Sequence, residues 1–381
     1  MATRRTVLKL VGGGVILAAA GGGIWAATRD PARARAPWTT AGTETDPVRR
    51  ALSYAILAPN PHNRQPWLAD PRTPGRITLY CDLDRLLPAT DPFDRQITMG
   101  LGAFLELLLM ALAEEGIAAD VTLFPEGEGQ PRLDERPVAR INLRPDPGVE
   151  RDPLFAQVLL RRTNREPYDT ARPLAPEVLA RITGAAKYSL AKGSSDPALV
   201  TKVRDLAWAA MLIEFETEAT AMESINLMRV GKAQIEANPD GITVAGPLME
   251  AMAALGLLSV QHMADPNSSV FAAQVDFVRP QFETGRSVIW QITPGNSRAD
   301  QINAGRDYVR MGLAATALGV AMQPWSQALQ EYPEMADSHA AMREILGVAP
   351  SQGLQMLARA GYAESTPKPS PRWPMESRLI V

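Results

Sequence analysis

The sequence predicts a mixed α and β protein in which long helices and short strands share one chain, and three observations carry that expectation. Ile77, Leu79 and Cys81 alternate as strand residues do, and similar runs occur near Val121–Phe124, Val138–Leu143, Ser287–Thr293 and Gly353–Tyr362. Two long segments, about Arg95–Glu115 and Asp300–Met322, read as helices. Each carries two glycines 14 residues apart, Gly102 with Gly116 and Gly305 with Gly319, and Ala111 matches Ala314. Helices that end in glycine are common, so this correspondence gains weight only if the chain is a tandem of two similar halves.

Composition narrows the function classes. The chain has 381 residues, of which 46% are hydrophobic and 21% charged, so disorder throughout, collagen and multi-span membrane classes are disfavoured. Cys81 is the single cysteine and the three histidines, His62, His262 and His339, are scattered, so no intrachain disulfide and no zinc site of the usual Cys/His kind is expected.

The N-terminus differs from the rest. Arg4-Arg5 and Lys9 precede a charge-free stretch from Leu10 to Thr28 that carries six glycines, a pattern that resembles a twin-arginine export signal with Val7 where phenylalanine is commoner. The alternatives are a single membrane anchor and a Gly-rich nucleotide loop; the glycines weaken the first, and the second lacks a preceding strand. Residues 1–36 are therefore set apart as signal or anchor, with possible cuts near Trp25-Ala26-Ala27 or within Ala32–Ala36. The remainder has 33 basic against 41 acidic residues, net −8, which disfavours a nucleic-acid-binding body.

Along the chain, Thr45-Asp46-Pro47 starts a helix that Ala58-Pro59 must stop. Pro59–Trp67 is a rigid loop dense in side-chain amides, and Asp82–Pro92 is a turn-rich link into the first long helix. Leu101, Phe104, Leu105, Leu107, Leu108, Leu109 and Leu112 make that helix apolar over most of its circumference, so it should be buried on more than one side. A second half opens at Arg151-Asp152-Pro153 with a helix ending in Arg161–Arg165. Residues from about 200 to 275 read as an inserted helical unit without strands, and Pro367–Pro374 as an extended, proline-rich arm.

Common catalytic motifs are absent: no nucleophile elbow, Walker loop, His-Glu-x-x-His or Gly-x-Gly-x-x-Gly behind a strand. Two clusters remain. Asn60, His62, Asn63, Gln65 and Trp67 offer amide donors and acceptors suited to the edge of a flavin or pyrimidine ring; read alone, the same loop is served by Asx turns with Trp67 in the core. Arg161, Arg162 and Arg165, with Thr163 and Asn164, suit a phosphate dianion; read alone, they are a solvated basic face.

Together these segments resemble the nitroreductase-like flavoproteins, specifically the twin-arginine-exported group related to the Acg family. The residues that carry the resemblance are Ala58-Pro59-Asn60 with His62-Asn63-Arg64-Gln65-Pro66-Trp67, Asp84-Arg85-Leu86-Leu87-Pro88 with Asp91-Pro92 and Arg95, Arg161–Tyr168, Gly305 with Leu313 and Leu318-Gly319, and Pro371-Arg372-Trp373-Pro374. They span most of residues 45–381. The resemblance implies an α+β, nitroreductase-like fold of two tandem halves, 37–150 and 151–381, forming a fused pseudo-dimer with a lid-like helical insertion at about 200–275. It implies FMN, with Arg161, Thr163, Arg165 and Arg372 toward the phosphate and Asn60, Asn63 and Gln65 toward the flavin; Asn60 and Thr163 stand where serine is usual. It implies reduction of a small acceptor, such as a nitroaromatic or quinone, by two-electron hydride transfer from flavin N5, with NAD(P)H, a quinol or a redox protein as donor and with no metal. The alternative it leaves open is an exported FMN-binding or sequestering protein without turnover. Handling by the twin-arginine machinery, a periplasmic location and anchoring by an uncleaved signal complete the expectation.

Overall fold

A computed structural model describes residues 29–256 and 259–381; the twin-arginine stretch, within residues 1–28, lies outside the described residues. The helices are α1 (Pro37–Thr40), α2 (Pro47–Ala55), α3 (Arg95–Glu114), α4 (Pro176–Thr183), α5 (Pro197–Glu216), α6 (Glu218–Asn226), α7 (Gly231–Ala237), α8 (Pro247–Ala254), α9 (Val260–Ala264), α10 (Ser269–Glu283), α11 (Arg298–Ala317) and α12 (Ala336–Ile345). The strands are β1 (Trp67–Asp70), β2 (Arg76–Cys81), β3 (Ile117–Leu123), β4 (Ala139–Pro145), β5 (Leu190–Ser194), β6 (Met228–Val230), β7 (Ile242–Val244), β8 (Ser287–Thr293), β9 (Ala321–Pro324) and β10 (Gly353–Gly361).

Two four-stranded antiparallel sheets, in the orders β1-β2-β4-β3 and β5-β8-β10-β9, flank the long helices α3 and α11, giving an α+β fold. Both sheets take their strands in the same order, first-second-fourth-third, with a 20-residue helix between the second and third strands. The match extends to residues. Arg95 and Arg298, Gly102 and Gly305, Ala111 and Ala314, and Gly116 and Gly319 all share a spacing of 203. A Cβ on Gly102 would run into the Ile302 carbonyl, and one on Gly305 into the Met99 carbonyl, so α3 and α11 cross backbone to backbone where only glycine fits. Arg95, at the start of α3, donates to the carbonyls of Leu329 (2.7 Å) and Gln355 (2.6 Å); Arg298, at the start of α11, donates to those of Phe93 (2.7 Å), Gly129 (3.1 Å) and Pro131 (2.9 Å). Each arginine thus ties its helix to the opposite half, as a local two-fold axis requires.

The largest apolar cluster is shared by the two halves, while two smaller ones belong to the second half alone. Ile302, Val309 and Leu313 of α11 sit in the same apolar cluster as Leu101, Phe104 and Leu108 of α3, and the C-terminal Ile380 donates to Ala69 on the edge of the first sheet (2.9 Å). Helix α3 is long and apolar enough to cross a bilayer, but it forms the buried centre of the molecule.

Several expectations need correction. Strands β1, β5 and β9 are only four or five residues long and carry no alternation the sequence could show; β9 falls where the second long helix was expected to continue. That helix stops at Ala317, because Gly319, at φ +67°, turns the chain. The inserted unit, α5–α10, contains one exception to its helical character: the three-residue strands β6 and β7, on either side of α7, pair in parallel. Arg161–Arg165 does not end a helix. After a short 3-10 turn, Pro153–Gln157, it runs beside the second sheet, with Thr163 bridging Met322.

Candidate functional site

The amide loop is shaped by its backbone. His62, Asn63 and Gln65 all have left-handed φ, +45°, +52° and +53°, and the loop sits directly on α3, where a Cβ at Gly100 would lie 3.0 Å from Asn60 Cβ. Asn60 Oδ1 accepts from the Gln65 N–H (2.7 Å) and its Nδ2 donates to the Ala58 carbonyl (3.1 Å). Fully buried Gln65 accepts from the Trp373 N–H (2.8 Å) and donates to the Pro239 carbonyl (2.8 Å). Asn63 donates to the Pro371 carbonyl (3.0 Å) and accepts from Arg372 (2.7 Å). Asn63 and Gln65 therefore knit the loop to the C-terminal arm and the insertion; among the described residues, Asn60 Nδ2 and Asn63 Nδ2 each use one of their two N–H donors, whereas Gln65 Nε2 uses both.

Arg372 is equally engaged. It donates to the carbonyls of Ile56 (2.9 Å), Leu57 (3.1 Å), Ala58 (3.0 Å) and Pro371 (2.9 Å), to Ser370 Oγ (2.7 Å) and to Asn63. All of its donors are spent on closing the chain that follows α2. Burial, with Arg161 and Arg162 adding to it, lowers its pKa to about 9.

Arg161 and Arg165 contrast with it. Arg161 is buried and makes one long bond, 3.4 Å, to the Leu57 carbonyl that Arg372 also uses, so the two clusters read from sequence do meet. Its stem lies over Gly312 of α11. Burial pushes its pKa down to about 10, and no carboxylate offsets that. Arg165 makes no hydrogen bond or ion pair with any described residue. Desolvation lowers its pKa too, although its side chain is exposed.

Tyr308 of α11 stands beside both arginines, and burial raises its hydroxyl pKa to about 12. His62 completes the rim: its Nδ1 is buried without a partner, and burial lowers its pKa to about 4, partly countered by Glu223. Thr163 is half-buried beside this group. Tyr308 was missed from sequence, although it lies three residues after Gly305, a spacing that puts both near one face of a helix.

The insertion is fastened to the same loop. Glu223 accepts from the N–H of Ala89 (2.9 Å) and Thr90 (2.9 Å) and from the Thr90 hydroxyl (2.6 Å). Asp240 receives Arg85 (2.8 Å) and Arg229 (3.0 Å), and the Gly241 N–H donates to the Asn63 carbonyl (3.3 Å). Open surface clefts of about 340 Å³, at Trp208 and Arg279, and 440 Å³, at Lys202 and Glu344, include none of the residues named above. Among the described residues no cluster could hold a metal ion.

No family model matches the chain. The Mycobacterium tuberculosis protein named "Putative NAD(P)H nitroreductase acg" is 38% identical over 128 residues, 32% of this chain and 36% of that protein, so the match spans about a third of that relative's length. Another from the same organism, "Putative NAD(P)H nitroreductase Rv3131", is 26% identical over 345 residues, 87% of this chain and 89% of that one. Among solved structures, the FMN-dependent nitroreductase NfnB from Mycobacterium smegmatis, in complex with NADPH, is 18% identical over 55% of this chain and 88% of its own, with a TM-score of 0.35. A nitroreductase with bound FMN from Bacteroides fragilis is 12% identical over 57% and 95%, with a TM-score of 0.32. The chain is thus similar, over most of its length, to a mycobacterial protein that bears a nitroreductase name.

Proposed function

We propose that this chain is an FMN-dependent oxidoreductase of nitroreductase type, with its cofactor held where the two halves meet. The observation that carries the reading is a pair of arginines, buried Arg161 and solvent-facing Arg165, that no carboxylate among the described residues answers. Isolated buried cations are costly, and a phosphate dianion answers both through charge-assisted bonds. The residues present fit FMN: Arg161, Arg165 and the Thr163 hydroxyl would hold the phosphate, and Asn60 Nδ2 and the orphaned His62 Nδ1 offer polar atoms beside it. Gln65 and Arg372 support that cradle rather than touch the group, since their donors are already bonded, and Asn63 keeps one N–H that could face it.

Bound FMN supplies reversible two-electron chemistry that the side chains lack. The protein's part is to bind, orient and shelter. His62, neutral at physiological pH, can carry one proton on either ring nitrogen without placing a second charge beside Arg165. The acceptor is a small molecule such as a nitroaromatic or quinone; the donor is NAD(P)H, as the relatives' names suggest, or a quinol or redox protein if the chain works outside the cytoplasm. Export by the twin-arginine route to the periplasm, with residues 1–36 as signal or retained anchor, suits a protein that folds around its cofactor first.

A second reading, an FMN-binding protein without turnover, is favoured by the insertion's attachment to the amide loop through Gln65, Asn63 and Asp240. Purified protein is expected to be yellow and to release FMN on acid treatment; colourless protein that takes up no added FMN ends both readings. Anaerobic reduction by dithionite, followed by rapid reoxidation with a quinone or nitroaromatic, selects the enzyme. Reduced protein inert to both acceptors selects storage.

A further inference from the structure

The stretch that follows the N-terminal apolar segment is built into the arginine cluster. Ala34 and Trp38 are buried. Trp38 Nε1 donates to the Ser370 carbonyl (2.9 Å), Arg35 Nε to the Pro369 carbonyl (2.8 Å), and the Arg372 backbone N–H to the Ala34 carbonyl (2.8 Å). Asp30 pairs with Arg35 and with Lys368 (3.1 Å). The Trp38 ring carries two cations: the Arg162 guanidinium lies 4.5 Å from its centroid and that of Arg372 5.4 Å.

Arg161, Arg162 and Arg372 therefore crowd together, and no carboxylate pairs with any of them. An aromatic face is the neutral group best suited to lie against such charges, because its π-electrons attract cations and need no water. The contacts form a continuous path. Trp38 holds the arm at Ser370; the arm carries Arg372; Arg372 grips the carbonyls of Ile56–Ala58 and Asn63; and the Leu57 carbonyl is where Arg161 anchors.

We propose that Asp30–Thr40 is a clasp on the half-site that holds the cofactor phosphate, and that Trp38 is its positioning residue. A leader, where one is removed, is then cut before Asp30, since a cut within Ala32–Ala36 would sever the contacts of Ala34 and Arg35.

The clasp rests on the FMN reading for one of its measurements but not for the other. In the full-length protein, Trp38→Ala is expected to speed FMN dissociation about tenfold, through the loss of its two cation–π contacts and one hydrogen bond, and to accelerate backbone amide exchange at residues 368–373. Trp38→Phe, which keeps an aromatic face but not the N–H, should restore most of the flavin retention. Trp38→Ala that merely lowers the melting temperature, with arm exchange or flavin release as in the wild type, overturns the proposal. So does an exported, flavin-loaded chain whose mature N-terminus lies beyond Ala34. Should the wild type bind no FMN, that reading falls, and arm exchange alone decides the clasp: unchanged exchange in Trp38→Ala refutes it.

Discussion

Two groups of buried charge flank helix α11, and they are treated in opposite ways. On one side Glu106 of α3 receives Arg306 (2.8 Å) and Arg310 (2.7 Å), and Arg310 also reaches Asp152 (2.7 Å). Next to it the Asp307 carboxylate accepts from the backbone N–H of Lys187 (2.7 Å), Tyr188 (2.8 Å) and Ser189 (2.6 Å) and from the Ser189 hydroxyl (2.7 Å), an anion nest filled from within. One residue further along, Tyr308 faces Arg161 and Arg165, with which no carboxylate pairs among the described residues. Charge answered by protein is architecture; charge left unanswered is poised for a ligand. Both groups lie along α11, and they differ in whether the protein itself supplies the counter-charge.

The largest effect should come from the unanswered side. Arg161→Ala with Arg165→Ala removes charge-assisted bonds of about 1.5–3 kcal/mol each, so FMN affinity should fall roughly a hundredfold to ten-thousandfold. The apoprotein should be no less stable in urea, since a buried, unpaired cation, Arg161, is gone with the exposed Arg165. In the same titration the wild type should bind one FMN per chain. A double variant with full flavin occupancy, or a wild type with two equivalents, breaks the comparison.

On the answered side the sign reverses. Glu106→Ala leaves Arg306 and Arg310 buried without their shared partner, a loss of about 3–5 kcal/mol, visible as a lower urea midpoint, while FMN affinity per folded molecule stays near that of the wild type. Equal losses of stability in this variant and in the arginine pair would mean that both groups are structural.

A smaller effect tests a third treatment, a buried carboxylate with no cation. Glu214 in α5 receives Gln330 Nε2 (2.9 Å), and burial raises its pKa to about 7 from 4.5. The folded state then binds this proton more tightly than the unfolded state, so the contribution is complete below about pH 4.5 and fades as pH rises through about 7. The upper bound is about 3 kcal/mol between those limits. Thermal melting followed from pH 5 to 8 should show stability falling, with Glu223, Gln327, Ser224 and Tyr332 as the polar surroundings. Glu214→Gln should flatten that slope, and an unchanged slope would place the titration elsewhere.

Much of this was legible in the chain. The matched glycines of α3 and α11 announced a tandem because close backbone crossing leaves a compositional mark: no larger residue fits. The arginine-rich segment was visible as a candidate phosphate site by residue type, but read alone it was equally a solvated basic face, and only the burial of Arg161 separates the two. What could not be read was which polar atoms remain free. Asn63, Gln65 and Arg372 look like ligand-binding residues by type, yet all three bond to carbonyls and amides from segments far away in sequence. The short strands β1, β5 and β9 were hidden because so few residues cannot express a period, and sheet neighbours rather than propensity make them strands.

The sequence by itself determined the elements that depend on local chemistry: the caps, the long buried helices, the glycine crossing and the location of concentrated positive charge. Only the tertiary structure decided which of those charges are satisfied. Whether a guanidinium is a strut or a binding site depends on the acceptors within about 3 Å. Those acceptors come from the other half of the chain, brought close by the burial of α3 against α11 and not by any pattern along the sequence.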